Sequence, residues 1–347
     1  ELSYKIGTKD LSIFCNQFSV ILKEGVPILK SIEILGQQTQ NKKLKKVLAD
    51  VYTRIQKGSS VSEAFKEHPR RFSELFLAMI ESGEASGNLE LVLHRMGISL
   101  TKDHKLSQKV KGAMIYPAIL SIVAVAVVIL LLVVVVPTFS SMYASSGQEL
   151  PFLTRMVISL GDFMSANVLI ILLAIIAIVI LTRMILKIEH IRLGFDRFKL
   201  KLPVFGKLLM QIITARYTQN MATLLSSGIS LTLAIEITSK SLGNKYISEK
   251  VFSLINDVRS GRGMSGPLED LQIFSPMVVQ MTKLGEEAGT LDELLNQTSD
   301  FYESEAEFAT TRLTTLIEPI IIVVMGIMVL LIILSILLPM FGMYSMI

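Results

Sequence analysis

The chain has 347 residues, 51% of them apolar, a mean hydropathy of +0.54 and a formal net charge of +4. That apolar content, in a chain long enough for two domains, excludes an ordinary soluble protein and requires segments covered by lipid. The one cysteine, Cys15, excludes an internal disulfide and reads as packing within an amphipathic run.

From the N-terminus, apolar residues recur three and four apart, the spacing of helices that bury one face. Gly25 predicts the end of a first helix, and Pro27 the first position of the next. The run Asn41-Lys42-Lys43-Leu44-Lys45-Lys46 reads as a solvated helix start, or as a face for anionic headgroups or an acidic partner. Gly58 ends a third helix, and Ser60 with Glu63 has the spacing of a capping box. Residues 1–112 are thus expected to form a cytosolic helical domain, with 18 Lys and Arg against 12 Asp and Glu, net +6.

Three runs reach the ~20 apolar residues that a hydrocarbon core of ~30 Å demands at ~1.5 Å per residue. They are Pro117 to Val136, Phe163 to Thr182 and Pro319 to Leu338. The sequence predicts transmembrane helices at 113–136, 163–182 and 316–338, an external loop at 137–162, a second cytosolic helical domain at 183–315 and an external C-terminus at 339–347. Orientation follows from Lys and Arg, which cytosolic flanks retain and short translocated loops exclude. Eighteen precede the first run, Arg155 alone lies between the first two, fifteen fall from Arg183 to Arg312, and none follows Leu338. The chain begins at Glu1 without the charged, apolar and small-residue order of a signal peptide, so the first membrane helix serves as its own insertion signal. In the second domain Ser275-Pro276 places a hydroxyl before a first-turn proline, and Thr290 with Glu293 repeats the capping-box spacing. No window alternates apolar and polar residues, so the expected class is all-α: a polytopic membrane protein with three transmembrane helices and two helical-bundle domains of about six short helices each.

The two domains are copies. At an offset of 203, Leu22, Gly25, Ile32-Glu33-Ile34, Gly58 and Ser62 fall on Leu225, Gly228, Ile235-Glu236-Ile237, Gly261 and Ser265. One residue is then lost from the second copy. At 202, Phe72-Ser73, Met79, Gly83-Glu84, Gly87, Leu89, Pro117 and Pro137 fall on Phe274-Ser275, Met281, Gly285-Glu286, Gly289, Leu291, Pro319 and Pro339. Each repeat is a cytosolic domain and the membrane helix after it. The matched acids Glu33 and Glu236 read as a solvated helix face or as contacts between the domains.

The most specific repeated segment is Gly83-Glu84-Ala85-Ser86-Gly87-Asn88-Leu89, which returns as Gly285-Glu286-Glu287-Ala288-Gly289-Thr290-Leu291. Two glycines four apart, followed by Asn or Thr and a leucine, fit a turn that ends one helix and caps the next. With Tyr116-Pro117 and Glu318-Pro319 opening the repeat membrane helices, Pro137 and Pro339 closing them, and the openings Phe14 to Ile34 and Tyr217 to Ile237, this pattern resembles the type II secretion F family. That family includes the inner-membrane platform proteins of type II secretion, type IV pili and competence pseudopili, the GspF- and PilC-like proteins. The resemblance covers nearly the whole chain. It implies a homo-oligomeric protein of the inner membrane that docks a hexameric cytosolic assembly ATPase, receives pilin or pseudopilin subunits and meets other inner-membrane assembly components, with no cofactor and no nucleic acid.

Other chemistry finds little support. No G-x-x-x-x-G-K-[ST] run exists to cradle phosphates, so a partner must spend the ATP. His68, His94, His104 and His190 lack metal-ligand spacing. Glu81 and Glu84 could join other oxygens around a hard cation, but Lys283 replaces the outer acid in the second copy. A small-solute transporter would need ionisable groups inside its membrane helices, and the three runs have none in their interiors. It stands as the alternative reading, beside a passive membrane scaffold. Glu318 is the one carboxylate at the mouth of a membrane run, where the first repeat has Tyr116; it reads as an acid solvated at the interface, or as a partner for a cationic group of an incoming pilin.

Overall fold

The computed structural model describes residues 5–135, 137–138, 151–185 and 188–344, with backbone alone at 175 and 339–344. Most of the expected external loop, Val136 and the last three residues lie outside this set. Among the described residues there is no strand. Within them sixteen α-helices are bounded: α1 (Thr8–Lys23), α2 (Ile28–Gln38), α3 (Lys42–Gln56), α4 (Val61–Lys66), α5 (Glu74–Ala85), α6 (Leu89–Ala113), α7 (Ile115–Leu130), α8 (Phe152–Ala166), α9 (Val168–Ile185), α10 (Glu189–Lys201), α11 (Phe205–Ser226), α12 (Leu231–Ser241), α13 (Lys245–Arg259), α14 (Ser265–Asp270), α15 (Pro276–Ala288) and α16 (Leu291–Tyr344). They form two compact units, Glu1–Lys109 with Asp196–Ala309, and Val110–Phe195 with Thr310–Ile347.

In the first unit, local chemistry sets the helix ends. Gly25 and Gly58 take φ of +79° and +98° just past α1 and α3, where a side chain would be strained. Pro27 sits one residue earlier than its predicted role, as the extended cap of α2 rather than its first helical residue. The Asn41 side chain accepts from the N–H groups of Lys43 and Leu44, closing the lysine-rich start of α3, and its amide donates to Asp10 at 2.6 Å. Ser60 and Glu63 complete the capping box of α4. The Ser275 hydroxyl departs from expectation: Ser275 precedes Pro276, but its hydroxyl pairs with that of Tyr302 instead of capping α15.

The two repeats share one core, where the sequence suggested two separate domains. In the first repeat Phe72 stacks on Phe76 at 4.6 Å, and Phe65 meets both edge-on. In the second, Tyr217 stacks on Phe274 at 4.6 Å, at the positions matching Phe14 and Phe72. Both sets belong to one continuous apolar cluster. Polar groups hold the seam: Arg216 pairs with Asp103 at 2.9 Å, the buried Gln219 amide donates to the Ser99 carbonyl, and the Ser82 hydroxyl donates to the Ser227 carbonyl. Lys240 bridges Glu236 of its own helix to Glu74 of the first repeat, whereas among the described residues Glu33 pairs with Lys30 and Gln37 of its own helix. Cys15 is wholly buried, and burial pushes its thiol up.

The second unit contains three helices long and apolar enough to cross a membrane, or their apolar parts: Leu89–Val135, Val168–Ile185 and Leu291–Leu338. α7 gives way to a π-helical turn, Leu131–Val135, just ahead of Pro137. Residues expected as loop and as the start of the second span form α8, which ends at Asn167, so that span begins at Val168 rather than Phe163. Packing explains the difference. Val157 of α8 meets Leu132 and Ile332 of the flanking spans, Thr154 donates to the Ser335 carbonyl at 2.7 Å, and a Cβ on Gly161 would lie 2.8 Å from the Leu132 carbonyl oxygen. Of the prolines expected to bound the spans, Pro117 meets the expectation and two others do not. Pro117 lies in the first turn of α7, where its missing N–H costs nothing. Pro319 and Pro339 neither open nor close a helix, because α16 runs through both.

The shared core has a measurable consequence. Phe76 is fully buried, so Phe76→Ala is expected to cost ~3–5 kcal/mol. Amide hydrogen exchange should then quicken in α13 of the second repeat as well as in α3 of the first. Faster exchange confined to residues 8–85 would mean two independent domains.

Candidate functional site

The glycine corners are built alike in both repeats. α5 ends at Ala85, and Gly87 turns the chain at φ +69°; α15 ends at Ala288, and Gly289 turns it at φ +70°. The first glycine of each pair serves a different need, close approach. A Cβ on Gly83 would stand 3.1 Å from the Leu89 Cα and the Val92 Cβ, and one on Gly285 would stand 2.7 Å from the Leu291 Cα. Consecutive helices therefore cross with almost no side chain between them. Gly83 and Gly285 are buried, whereas Gly87 and Gly289 are exposed.

The acid beside each buried glycine reaches back to the short helix before it. Glu84 accepts from the Val61 N–H at 2.6 Å and the Ser62 N–H at 2.8 Å. Glu286 accepts from the N–H groups of Met264 and Ser265, the latter at 3.0 Å. These amides open α4 and α14, where a helix has no internal acceptors for its first N–H groups. A carboxylate there also meets the positive end of the backbone dipoles. Burial alone would lift the Glu84 carboxyl, but hydrogen bonds from the Ser62 hydroxyl and N–H, the Val61 N–H and Ser60 hold it below its usual value.

Glu81, the outer acid of the first corner, pairs with Lys66 at 2.6 Å and does not join Glu84 around a common point. Among the described residues no group of three His, Cys, Asp or Glu could hold a metal ion. His68 is tied to Asp50 at 2.9 Å. At the mouths of the spans, Pro117 is buried while Glu318 and Pro319 are exposed. Glu318 accepts from the Tyr116 hydroxyl at 3.3 Å, so equivalent residues of the two repeats bond to each other. The corners belong to the first unit and the span mouths to the second. Sequence reasoning missed the amides of residues 61–62 and 264–265 as partners of the corner acids. A usable signal was present, since both ends of each bond recur in the repeat.

The carboxylate contact should show in acid. Because the folded Glu84 carboxyl titrates below its usual 4.5, its contribution is complete above about pH 4.5 and lost as pH falls through the folded value. Glu84→Gln should therefore flatten the loss of stability between about pH 5 and pH 3. Equal slopes for variant and wild type in thermal melts across that range would sink the assignment.

The sequence is similar to those of known proteins. The family model for type II secretion system protein F matches residues 14–137 and 217–339, which are the two repeats. The type IV pilus assembly protein PilC of Myxococcus xanthus is 34% identical over 98% of this chain and 81% of its own length. PilC of Thermus thermophilus is 37% identical over 96% of this chain and 82% of its own length. The type II secretion system protein F of Vibrio cholerae is 28% identical over 92% of this chain and 79% of its own length. With both repeats matched and identity extending over nearly the whole sequence, the chain belongs to the type II secretion system protein F family.

Proposed function

We propose that the protein is an inner-membrane platform of a pilus or secretion assembly machine, with both repeats facing the cytosol. One observation carries the reading: two tandem copies of the family's helical repeat, each continuing into an apolar span, are fused through one core into a single compact unit. Such a unit offers a partner one firm body instead of two loosely joined domains. The relatives' names, pilus assembly and type II secretion, supply the setting. The Lys and Arg distribution supplies the orientation. The partners implied are a cytosolic assembly ATPase at the fused repeats and the apolar helix of a pilin or pseudopilin at the spans.

One set of preparations tests partners and sidedness together. The assembly ATPase should bind inside-out membrane vesicles carrying the protein, should not bind right-side-out ones, and should be released by salt if the net +6 first repeat makes the contact. Photo-crosslinkers at Ile119 and Ile322, both exposed on the spans, should capture a pilin-like subunit. ATPase binding to right-side-out vesicles would overturn the orientation, and failure of both binding and capture would overturn the platform reading.

Glu318 has a narrower part in this reading. It is exposed and already oriented by Tyr116, which leaves carboxylate lone pairs for a cationic group of the incoming subunit. Glu318→Gln should lower filament assembly at an unchanged level of the protein. Assembly at the wild-type rate would remove the idea.

A further inference from the structure

The seam between the repeats is not reciprocal. α11 of the second repeat, with the residue after it, supplies one side, and α5 and α6 of the first repeat supply the other. Arg216 pairs with Asp103, the Gln219 amide donates to the Ser99 carbonyl, and the Ser226 and Ser227 carbonyls accept from Arg95 and from the Ser82 hydroxyl. Thr223 lines a cavity with Arg95 and Ser99. A twofold seam would bring α1 of the first repeat onto α15 and α16 of the second in the same way. At the repeat offsets Ile13 and Val20 match Arg216 and Thr223, while Leu284 and Phe301 match Ser82 and Ser99. All four are exposed, Ile13 to 44%, Val20 to 58%, Leu284 to 54% and Phe301 to 44%. The seam is thus head-to-tail, a type that leaves each of its two surfaces open once for a further copy.

The open surfaces differ from the used ones in one consistent way. Where the seam has Arg216, Thr223, Ser82 and Ser99, the open positions have Ile, Val, Leu and Phe. Ile13 and Val20 stand two turns apart on one face of α1, with Asn16 between them as Gln219 lies between Arg216 and Thr223. Glu305, which matches Asp103, accepts from Gln211 of its own repeat at 3.1 Å, in keeping with the loss of the arginine at position 13. Surfaces within one chain meet at high effective concentration and need little affinity. Surfaces on separate chains must also offset lost translational and rotational freedom, and buried apolar side chains supply that.

We propose that a second copy of this chain docks here, its α1 seated on α15 and α16 of the first copy so that the internal seam is repeated between molecules. In that contact Phe301 lies between Asn16 and Val20 of the arriving helix, and Leu284 lies at Glu24. The Gln297 amide, in the place of Arg95, donates to the Lys23 carbonyl. Charge selects the same pairing. Residues 1–112 carry +6 and residues 183–318 carry −1, so a first repeat meets a second repeat without the repulsion that two first repeats would feel.

Cys15 is wholly buried, so introduced thiols report alone. Two differently tagged copies of the full chain would be co-expressed, one carrying Glu24→Cys and the other Leu284→Cys, and their membranes treated with a short thiol-to-thiol cross-linker. The contact of Ser82 with Ser227 sets the two thiols side by side in the repeated seam. An adduct containing both tags is expected, and none from either variant expressed alone. Val20→Asp beside Glu24→Cys, or Phe301→Asp beside Leu284→Cys, should each cut the mixed adduct about tenfold. Val20→Asp moved to the copy carrying Leu284→Cys should leave the yield unchanged, because both surfaces of that pairing stay intact and only a misfolded chain would lose it. Absence of the mixed adduct would overturn the proposal, as would adducts with a different protein only. Adducts from one variant alone would mark a self-complementary contact and overturn it too. So would equal effects of Val20→Asp in the two copies.

Discussion

A carboxylate bonded to two backbone amides is the contact on which each repeat depends. Glu84 and Glu286 leave their own helices to satisfy the first N–H groups of α4 and α14, six-residue helices too short to hold themselves. The buried glycine beside each acid lets the next helix come close enough for the acid to reach. Replace either, and a helix start loses its acceptor while an aromatic core loses its cover. Bonds to an ionised acceptor are also stronger than neutral ones, roughly 1.5–3 kcal/mol against about 1. This explains why so little sequence, two glycines and an acid, identifies the architecture twice.

The shared core then turns two repeats into one body. Its apolar residues come from both copies, and its seam is held by hydrogen bonds whose donors and acceptors lie on opposite repeats. The seam also accounts for charge. Arg216 with Asp103 and Lys240 with Glu74 place second-repeat cations on first-repeat acids, and Lys102 with Asp300 and Lys109 with Glu307 place first-repeat cations on second-repeat acids. Opposite signs thus meet across the seam in both directions, and the unlike net charges of the two copies, +6 over residues 1–112 and −1 over 183–318, are partly an internal matter. The surface pairs among these contribute little individually, so the apolar core carries the association and the charges select its register.

Much of this was legible in the sequence because it is local. Glycines at positive φ and the Ser60 box depend on residues within a few positions, and each falls where spacing put it. Family, helix content and the number of apolar spans were equally plain, since they rest on repetition and composition. What stayed hidden was set by distant partners. α8 looked like loop because Arg155 and Asp162 interrupt its apolar pattern, yet Thr154, Val157 and Gly161 form a face that fits two other spans. Ser275 looked like a cap, but Tyr302 competes for its hydroxyl. Pro319 looked like a helix start, yet α16 runs through it.

Departures from the repeat are where the two copies cease to be interchangeable. Tyr116 and Glu318 occupy one position in the duplication, and because one became a donor and the other an acceptor they bond to each other. Two glutamates there would repel, and two tyrosines would carry no charge. Ser82 and Leu284 are likewise equivalent, yet Ser82 donates to the end of α11 while Leu284 is exposed. Glu81 pairs with Lys66, whereas Lys283 stands in its place in the second copy. In each case the corners stay alike in the two copies while the contacts made differ. A duplicated scaffold of this kind can keep one set of helix-ending residues fixed while its equivalent surfaces diverge to meet each other and different neighbours.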